Sequence, residues 1–488
     1  MVQPDKFFSK LGKEELQKRK KAFFLSLILP GLGQVYQGRT LTGIAFLVIF
    51  LFPFYYLYLL GFSLNYGSVA LVLSQLLLYV LQAVDAKKGS KRETSPCEDF
   101  CPAGINVPTF MSYAEEGDFE RALGSIFLRA PLPFTLGRIC PAPCEEKCGV
   151  LPERPLKIRE VHAELGRIFL EKTPIKRRKP FFPPVEKKVA VVGGGVAGLT
   201  AAYYLASAGV KVDIFEKERE LGGILNVIPD FKLNKELMRK EIAFITSFEN
   251  VRIFTGTEIK SPPKDYDAIV IATGSQVEKK LNIPTSGNPA IIYPLSFLKN
   301  PPELKNKRVV IIGAGDTAFD VARLTARNGG EALVFYRGES QEMKAQQKEI
   351  SAAVREGVRI YTNCTPVAVE GNRIEFSCGK LQFDYLVPAI GFEKDREFLK
   401  AFGISGEKPY ENGIYLAGDV LNGMSSAVTA VRDGRNVAER ILKELGLSER
   451  IWFSLDFYHP KPEKPCGENL FIVSESSLCQ HCGIKVKS

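Results

Sequence analysis

Two glycine-rich stretches have the residue types and spacing to bind the phosphates of dinucleotides. In the first, the apolar run 189–192 leads into Gly193, Gly195 and Gly198 in the pattern G-x-G-x-x-G. The first glycine permits a tight turn, the second lets a pyrophosphate approach the backbone, and the third lets the next helix pack closely on the strand. The N-terminus of that helix adds N–H donors and a positive dipole. This stretch therefore predicts a dinucleotide site built mainly from backbone.

A carboxylate downstream strengthens this prediction. Glu216 follows the next apolar run, residues 210–215. It stands about 20 residues after the glycines, where a carboxylate can accept a hydrogen bond from an adenosine ribose hydroxyl. A lone G-x-G-x-x-G would be weak evidence, since an ordinary α/β domain can contain such a turn. The pairing with Glu216 favours the nucleotide site.

The second glycine-rich stretch follows the apolar run 309–312 and has an arginine where the first has Glu216. The predicted contacts are Gly313, Gly315, Asp316, Thr317 and Ala318, with Arg337 at the ribose-reading position. A guanidinium suits a 2′-phosphate, whereas a carboxylate suits a plain hydroxyl. This site is therefore expected to take NADPH, with NADH also possible. A solvated surface charge is the alternative interpretation of Arg337.

The ten cysteines are grouped in a way that favours metal binding over disulfides. Cys-Pro pairs and steps of three or four residues are typical of [4Fe–4S] ligation, whereas structural zinc sites use paired C-x2-C knuckles. Two four-iron clusters need about eight ligands. The candidates are Cys97, Cys101, Cys140, Cys144, Cys148, Cys466, Cys479 and Cys482. Cys364 and Cys378 are expected to pack as small hydrophobic residues in strands.

The N-terminal region predicts membrane anchoring. Residues 40–84 contain no charged side chain, and residues 61–67 divide them into two apolar segments. Each is near the ~20 residues that a spanning helix needs, so two transmembrane helices are expected. Basic residues flank the pair at 18–21 and 87–92, which predicts that both ends, and the domains that follow, face the cytoplasm. The net charge of +10 is attributed to this basic collar rather than to nucleic-acid binding.

Several motifs resemble known families. The segments 117–122, 131–133, 137–148, 222–225, 228–233 and 272–274 look like parts of glutamate synthase small subunits, and the cysteine-rich part also resembles the N-terminal region of dihydropyrimidine dehydrogenase. The likeness covers roughly residues 96 to 445. The family's C-x2-C a few residues upstream of Cys97 is absent, and Val227 stands where a glycine is usual. Residues 29–38 resemble the start of membrane hairpins of the TM2 type.

The resemblance implies FAD in the first nucleotide site. Residues 414–435 look like the closing FAD motif of two-domain flavoproteins, in which Asp419 would hold the ribityl or phosphate region and the next helix N-terminus would face the flavin. The FAD contacts implied in this way are Gly223, Leu225, Thr273, Gly274, Gly418, Asp419, Ser426, Ala427 and Val428.

The C-terminal tail resembles the missing ligand segment. Its Cys479-x2-Cys482-Gly looks like the family's upstream C-x2-C, moved to the other end of the chain. By that correspondence Cys479, Cys482, Cys97 and Cys148 would hold one cluster, and Cys101, Cys140 and Cys144 the other, with Cys466 or His162 as fourth ligand. Zinc binding by the tail alone, or a tail with incidental cysteines, are the alternatives.

These patterns predict an α/β protein with two Rossmann-like domains, a helical iron–sulfur domain and a two-helix membrane hairpin. The expected regions are the anchor at 1–92, the iron–sulfur domain at 93–180, the FAD-binding domain at 181–300 and 401–450, the NAD(P)-binding domain at 301–400, and a cluster-ligating tail at 451–488.

The expected activity is electron transfer from NADPH through FAD to two [4Fe–4S] clusters and on to an acceptor. That acceptor would be a ferredoxin, a quinone or a partner enzyme such as a large catalytic subunit. A non-catalytic redox-sensing or scaffolding subunit is the alternative. Disulfide reduction is disfavoured because no cysteine lies between the two glycine-rich stretches.

Overall fold

A computed structural model describes residues 17–18, 20–36, 40–59, 66–86, 94–148, 155–275, 277–405, 407–453 and 470–480. The chain divides into two units. The first contains Arg129–Ala142 and Arg159–Ile451, and the second contains Val2–Leu128, Pro143–Ile158 and Trp452–Ser488.

The described helices, in chain order, are α1 (Leu32–Tyr36), α2 (Thr40–Leu59), α3 (Tyr66–Ala86), α4 (Pro96–Asp99), α5 (Val107–Glu115), α6 (Phe119–Phe127), α7 (Pro133–Ile139), α8 (Pro143–Glu146), α9 (Ile158–Lys172), α10 (Val196–Ser207), α11 (Lys235–Ile245), α12 (Pro294–Lys299), α13 (Asp316–Arg327), α14 (Gln347–Arg355), α15 (Arg396–Ala401), α16 (Asp419–Asn422), α17 (Ala427–Glu444) and α18 (Leu470–Ser477). Short 3-10 turns lie at Gly223–Asn226, Ser340–Glu342 and Ser448–Arg450.

The described strands are β1 (Lys188–Val192), β2 (Lys211–Phe215), β3 (Val251–Phe254), β4 (Ala268–Ile271), β5 (Val277–Glu278), β6 (Thr285–Ser286), β7 (Arg308–Ile312), β8 (Glu331–Phe335), β9 (Arg359–Tyr361), β10 (Pro366–Glu370), β11 (Arg373–Phe376), β12 (Gly379–Gln382), β13 (Tyr385–Pro388), β14 (Phe392–Glu393), β15 (Tyr410–Glu411) and β16 (Ile414–Leu416).

The first glycine-rich turn belongs to a six-stranded sheet of order β15-β16-β4-β1-β2-β3. Strands β1, β2, β3, β4 and β16 run parallel, while β15 pairs antiparallel with β16. The central strands are almost entirely apolar, as expected for a parallel sheet covered on both faces. Strand β16 lies beside β4 although about 140 residues separate them, so the chain returns to this sheet after completing another.

The second glycine-rich turn follows β7 in a parallel sheet of order β13-β7-β8-β9. Side chains of β7 alternate between two cores. Val309 and Ile311 pack with Phe319 of α13, and Val310 and Ile312 pack with residues of β11 such as Phe376. Since successive side chains of a strand point to opposite faces, β7 is covered on both sides. The two Rossmann-like α/β folds predicted from the sequence are therefore present.

Two further sheets complete the unit, one of order β12-β11-β10-β6 and one pairing β14 with β5. A disulfide joins Cys364, before β10, to Cys378, in the turn between β11 and β12. The sequence prediction for these cysteines was wrong, because neither lies inside a strand and the β11–β12 hairpin brings their Cα atoms to 5.3 Å. Cys364 nonetheless packs in the core with Ile374.

Helix α7, which ends beside Cys140, is held by a buried carboxylate. Glu241 of α11 accepts hydrogen bonds from the backbone N–H groups of Phe134 (2.6 Å) and Thr135 (2.9 Å), at the first turn of α7. Those N–H groups have no partner within the helix, so the carboxylate caps its N-terminus. Burial raises the pKa of Glu241 to about 7, and the two N–H donors only partly offset that effect.

The predicted membrane hairpin and its localisation were wrong. Within the ranges that the structure describes, no helix is long and apolar enough to cross a membrane. The prediction equated an uncharged run with a lipid-facing surface, but buried glutamines join these helices. Gln34 donates to the carbonyl of Gln82 (2.7 Å), and Gln82 donates to that of Ser26 (2.7 Å). The outer faces of α2 and α3 carry exposed large apolar side chains, including Leu41 and Leu73.

Two short helices follow the first two cysteines of the cysteine-rich region. These are α5 and α6, and the left-handed Gly117 separates them. Asp118 caps α6 by accepting from the N–H of Arg121 at 3.0 Å. In the same unit, α18 packs on α5, where Ser476 meets Met111. The tail therefore contributes a helix to the unit that contains Cys97 and Cys101.

The raised pKa of Glu241 predicts a pH-dependent stability. Because the folded carboxyl group binds its proton more tightly than the unfolded one, the folded state holds more protons between pH 4.5 and 7, and its stability falls as pH rises through that range. Glu241→Gln removes this titration. The unfolding free energy of the wild type relative to E241Q should therefore decrease by up to about 3 kcal/mol from pH 5 to pH 8, measured by denaturant unfolding.

Glu236→Gln on the exposed side of the same helix is the matched control and should show no such slope. A constant difference between wild type and E241Q across this pH range would contradict the buried-carboxylate account.

Candidate nucleotide and cluster sites

In the first glycine-rich turn, two glycines pack closely against protein backbone and a third faces open space. Gly193 has φ +107°, and a Cβ there would lie 2.4 Å from the carbonyl oxygen of Ala272. A Cβ at Gly198 would lie 2.0 Å from the oxygen of Gly193. At Gly195, by contrast, an added Cβ would meet no atom of the described residues within 4 Å. The open space at Gly195 would let a pyrophosphate approach the helix N-terminus.

Glu216 is buried at the edge of this turn. Its Oε2 accepts from the N–H of Gly194 at 2.7 Å, and its Oε1 accepts from the N–H of Glu218 at 2.9 Å. These bonds hold the carboxylate beside the phosphate-binding backbone. Glu216 therefore lies beside the first turn, and its role as acceptor for a ribose hydroxyl stays a prediction.

The other FAD contacts implied by resemblance converge on the same sheet edge. A Cβ at Gly223 would approach Gly195 Cα to 3.2 Å, and Leu225 is fully buried. Thr273 and Gly274 follow β4, and the hydroxyl of the adjacent Ser275 donates to the backbone oxygen of Asp419 at 2.9 Å. The structure therefore brings these segments together around the first turn.

The closing segment presents a helix N-terminus. Gly418 precedes α16, and Ser426 caps α17 by accepting from the N–H of Thr429 at 3.3 Å, with Ala427 and Val428 in the first turn. Asp419 Oδ1 accepts from the backbone N–H (3.0 Å) and hydroxyl (2.5 Å) of Ser425. Burial raises the pKa of Asp419, and the Ser425 bonds oppose that shift. Asp419 thus braces the loop that leads into α17.

The second turn repeats the geometry of the first. Gly313 has φ +119°, and a Cβ there would lie 2.2 Å from the oxygen of Ala389. Gly315 is open in the same way as Gly195. Asp316 accepts from the N–H of Gln346 at 3.1 Å, which fixes the start of α13. The open glycine at a helix N-terminus again fits a pyrophosphate.

A cavity lies against this second turn. Its empty space, including its opening to solvent, is about 290 Å³. Its lining includes Gly315, Thr317, Ala318, Pro388, Ala389, Gly391, Phe392 and Met424. Glu278 also lines it, a residue that the sequence prediction missed because β5 has only two residues and no motif. Glu278 accepts from the N–H of Leu295 at 2.8 Å, and burial raises its pKa.

Arg337 lies exposed after β8, at the strand end where the first sheet has Glu216. It forms no ion pair with any residue for which the structure gives a position. The neighbouring Glu339 and Glu342 form a capping box around the 3-10 turn, so their carboxylates are engaged with backbone N–H groups. An exposed guanidinium at this strand end is available to a 2′-phosphate.

Three predicted cluster ligands are neighbours in the second unit. The pKa of the Cys97 thiol is raised to about 12, chiefly by burial and to a smaller extent by the nearby Cys479 and Cys148. Ser95 lies 3.1 Å from Cys97 Sγ and opposes the shift. Cys101 Sγ accepts from the N–H of Ile105 at 3.4 Å. Thiols gathered with N–H donors fit iron–sulfur ligation, in which hydrogen bonds to sulfur tune the cluster.

The remaining predicted ligands are less closely defined. Cys144 is buried in the second unit. Cys140 belongs to the first unit, at the end of α7, where its Sγ accepts from the N–H of Ala142 at 3.3 Å. Cys466 and Cys482 lie outside the described residues. No three potential ligands within the described ranges are arranged to hold a metal ion. His162 is buried, and burial lowers its pKa to about 4.

Comparison with known proteins matches two family models to the chain. Residues 187–434 match the family described as pyridine nucleotide-disulphide oxidoreductase. Residues 79–172 match dihydropyrimidine dehydrogenase domain II, 4Fe-4S cluster. The second match contains five of the predicted cysteine ligands, those from Cys97 to Cys148.

Relatives are found among multi-subunit enzymes. The NADP(+)-dependent formate dehydrogenase subunit beta of Moorella thermoacetica is 30% identical over 77% of this chain and 64% of that protein. The NADPH-Fe(3+) oxidoreductase subunit beta of Geobacter sulfurreducens is 32% identical over 63% and 52%. The glutamate synthase [NADPH] small chain of Azospirillum brasilense is 26% identical over 71% and 85%. The chain spans less than two thirds of the first two of these relatives. The resemblance to glutamate synthase small subunits is confirmed.

Substitution of the two open glycines, Gly195 and Gly315, should abolish FAD binding and NADPH binding separately. The Cβ of Gly195→Val would meet no atom of the described residues within 4 Å, so the fold should persist while the branched side chain excludes the pyrophosphate. The purified variant should contain no FAD. Gly315→Val makes the matching change in the second turn and should retain full flavin absorbance but lose saturable NADPH binding.

Flavin content per folded chain and NADPH titration check both variants, with circular dichroism confirming the fold. Full flavin retention in G195V would remove the assignment of the first turn.

Proposed function

Because the chain belongs to the pyridine nucleotide-disulphide oxidoreductase family, we propose that it carries electrons from NADPH through FAD to two [4Fe–4S] clusters and a partner protein. The observation that carries this proposal is the pair of open glycines, each at a helix N-terminus beside a parallel sheet. The family domain and the iron–sulfur domain imply FAD, NADPH and 4Fe-4S clusters as cofactors.

The protein's part in this chemistry is to bind and orient. Bound FAD would accept two electrons as a hydride and release them singly, which suits transfer to iron–sulfur clusters. Gly195 and Glu216 would hold the FAD pyrophosphate and ribose, and Gly315 with Thr317 would hold the phosphates of NADPH. Pro388, Phe392 and other apolar residues of the cavity would exclude water from the nicotinamide side.

Disulfide reduction receives no support despite the family's name. The disulfide between Cys364 and Cys378 adjoins the sheet β12-β11-β10-β6, and no strand of that sheet lines the cavity at the second turn. The segment from Gly193 to Gly315 contains no cysteine. We therefore assign the thiols at 97–148 and in the tail, rather than a thiol pair, as the route by which electrons leave the flavin.

We propose the same regional assignment as the sequence analysis for the nucleotide domains, with FAD at 181–300 and 401–450 and NAD(P) at 301–400. The return of β16 to the sheet of β4 supports it. The iron–sulfur region is assigned to 93–180 together with the tail from 451.

A partner subunit is proposed as the electron acceptor, in preference to a free ferredoxin or quinone. Relatives in Moorella thermoacetica and Azospirillum brasilense are themselves named as a subunit or a small chain. The partner would present a redox centre to the cluster region and would carry the substrate-specific reaction.

Arg337 is expected to set the preference for NADPH. Anaerobic mixing of the oxidised protein with NADPH should bleach the flavin absorbance rapidly, and more slowly with NADH. Arg337→Ala should raise KM for NADPH about tenfold more than KM for NADH, since a hydrogen bond to a charged group contributes about 1.5–3 kcal/mol. Stopped-flow and steady-state assays with both coenzymes measure these effects.

Arg355→Ala, which removes an exposed arginine at the end of α14, is the control for general loss of positive charge. An unchanged ratio of kcat/KM for the two coenzymes in R337A would exclude the role of Arg337. Failure of NADPH to bleach the wild-type flavin would instead favour a non-catalytic subunit.

The tail is expected to supply cluster ligands. Its helix α18 packs on α5, and the carboxylate of Glu475 accepts from the N–H of Lys157 at 2.9 Å, so truncation before α18 would also disturb the fold. Cys479→Ser with Cys482→Ser keeps that helix. The double variant should retain FAD but fall from about eight irons per chain to about four or fewer.

Gln480→Ala, between the two cysteines, is the control and should keep its iron. Full iron content together with unchanged low-temperature electron paramagnetic resonance in the double serine variant would show that the tail is not a ligand source. Bound zinc together with a lower iron content in the wild-type protein would instead favour zinc binding by the tail.

A further inference from the structure

A buried ion pair joins the segment that follows the Gly223–Asn226 turn to helix α13 of the second nucleotide fold. Lys232 Nζ lies 2.9 Å from Asp320 Oδ1 and 3.9 Å from Glu349 Oε2. About 90% of each of these side chains is removed from solvent. Lys232 and Asp320 are 88 positions apart. Lys232 lies in the segment 228–233 that resembles glutamate synthase small subunits, but neither residue is among the cofactor contacts predicted from the sequence. The pair therefore links the two nucleotide folds through charges that water does not screen.

The neighbouring Phe231 docks on the same helix. The guanidinium of Arg323 lies 4.6 Å from the centre of its ring, and that of Arg327 lies 4.2 Å away. Both arginines are in turn held by Glu356, at 2.8 and 2.6 Å. Arg323 also donates to Glu349 at 2.6 Å, so the ring and the Lys232 ammonium contact one continuous network. Cations over an aromatic face prefer a defined geometry, which restricts sliding of the segment on α13.

On the FAD side, the same segment is fixed to the first glycine-rich turn. The amine of Lys235 donates to the backbone oxygen of Leu225 at 2.6 Å and to that of Ile228. These bonds close residues 225–235 into one loop. The preceding Gly222 donates its backbone N–H to the oxygen of Gly194, in the first glycine-rich turn, at 2.8 Å. Displacement of Lys232 would therefore also shift the first glycine-rich turn.

On the NADPH side, the ion pair lies one helical turn from the phosphate site. Asp320 is four residues after Asp316, the first residue of α13, and so lies on the same face of the helix. The backbone of Gly315 and Thr317 must move with that face. A series of contacts thus runs from the first glycine-rich turn, through Lys232 and Asp320, to the start of α13 beside Gly315.

The charge balance of this network depends on Lys232. The network sets three cations, Lys232, Arg323 and Arg327, against three carboxylates, Asp320, Glu349 and Glu356. Burial raises the pKa of Asp320, and Lys232 is the cation that opposes this effect. Without Lys232, the three carboxylates face only two cations. Separation of the two folds would admit water, which would solvate the unpaired carboxylate and lower its free energy.

We propose that Lys232 is a positioning residue that fixes the NADPH-binding fold against the FAD-binding fold for hydride transfer. This rests on the proposed function. In that transfer a hydride leaves the nicotinamide, which is oxidised to NADP⁺, and enters the flavin, which is reduced with uptake of one proton. Lys232 touches neither nucleotide. It sets the distance and angle between the two sites through Asp320.

The test is anaerobic stopped-flow reduction of the FAD-loaded full chain by NADPH. Lys232→Met keeps the length of the side chain but removes its charge. The limiting rate of flavin bleaching at saturating NADPH should fall about tenfold to a hundredfold, as expected for a misplaced donor. The NADPH concentration at half saturation and the FAD content should stay near wild type. Lys232→Arg should restore most of the limiting rate.

Lys299→Met is the matched control. Lys299 lies in α12 and pairs with Glu218 at 2.9 Å, also linking the helix before the second fold to the first sheet, but both side chains are more than half exposed. An exposed pair contributes little, so this variant should keep the wild-type limiting rate. Asp320→Asn probes the pair from the other side and should slow the limiting rate in the same way as K232M.

The outcomes separate the two proposals. A wild-type protein whose flavin is not reduced by NADPH rejects the proposed function and this inference with it. A wild type that is reduced while K232M and D320N keep its limiting rate rejects the positioning role alone. K232M could instead lose FAD or fail to fold. If K232R then fails to restore FAD and the folded protein, the role of Lys232 is structural and the proposal is also overturned.

Discussion

Close backbone contact at the first glycine-rich turn is the constraint on which the rest of the structure depends. A Cβ at Gly198 would lie 2.0 Å from the oxygen of Gly193, and one at Gly434 would lie 2.3 Å from the oxygen of Ala197. Helix α10 is therefore pressed onto its own strand on one side and onto α17 on the other. Because α17 follows β16, this contact forms only after the chain has passed through the second nucleotide fold. Glycine at these positions makes the two-part first fold possible.

The parts of the site that could be predicted from sequence are those built by local chain geometry. Gly195 and Gly315 are open glycines at helix N-termini, as their motifs indicated, and Glu216 lies beside the first turn. By contrast, Glu278 and Glu241 accept hydrogen bonds from backbone N–H groups at the starts of helices, those of Leu295 and Phe134, which are 17 and 107 positions away in the chain. No periodicity or spacing marks such residues, because what defines them is the packing of one element on another.

The N-terminal region shows how composition alone misleads. Absence of charge over residues 40–84 was taken as a signature of lipid-facing helices, yet the described helices meet through buried amides. Gln82 accepts from the N–H of Gly31 at 3.2 Å and shares a network with Ser26 and Gln34. A buried amide must find partners, since leaving it unpaired costs free energy. Single glutamines among many apolar residues barely change an average, although they decide how the helices pack.

The link between the two nucleotide folds illustrates why polar contacts suit this position. An apolar interface of similar volume could be equally stable, because burying ions is costly and replacing a buried ion pair by hydrophobic residues is often neutral. Apolar contacts, however, tolerate small translations, whereas the 2.9 Å contact of Lys232 with Asp320 and the stacking of Phe231 under Arg327 hold only over a narrow range of positions. Hydride transfer is sensitive to displacements of about 1 Å. A directional network between the folds therefore stabilises one relative orientation, and in the proposed function the rate of hydride transfer depends on that orientation.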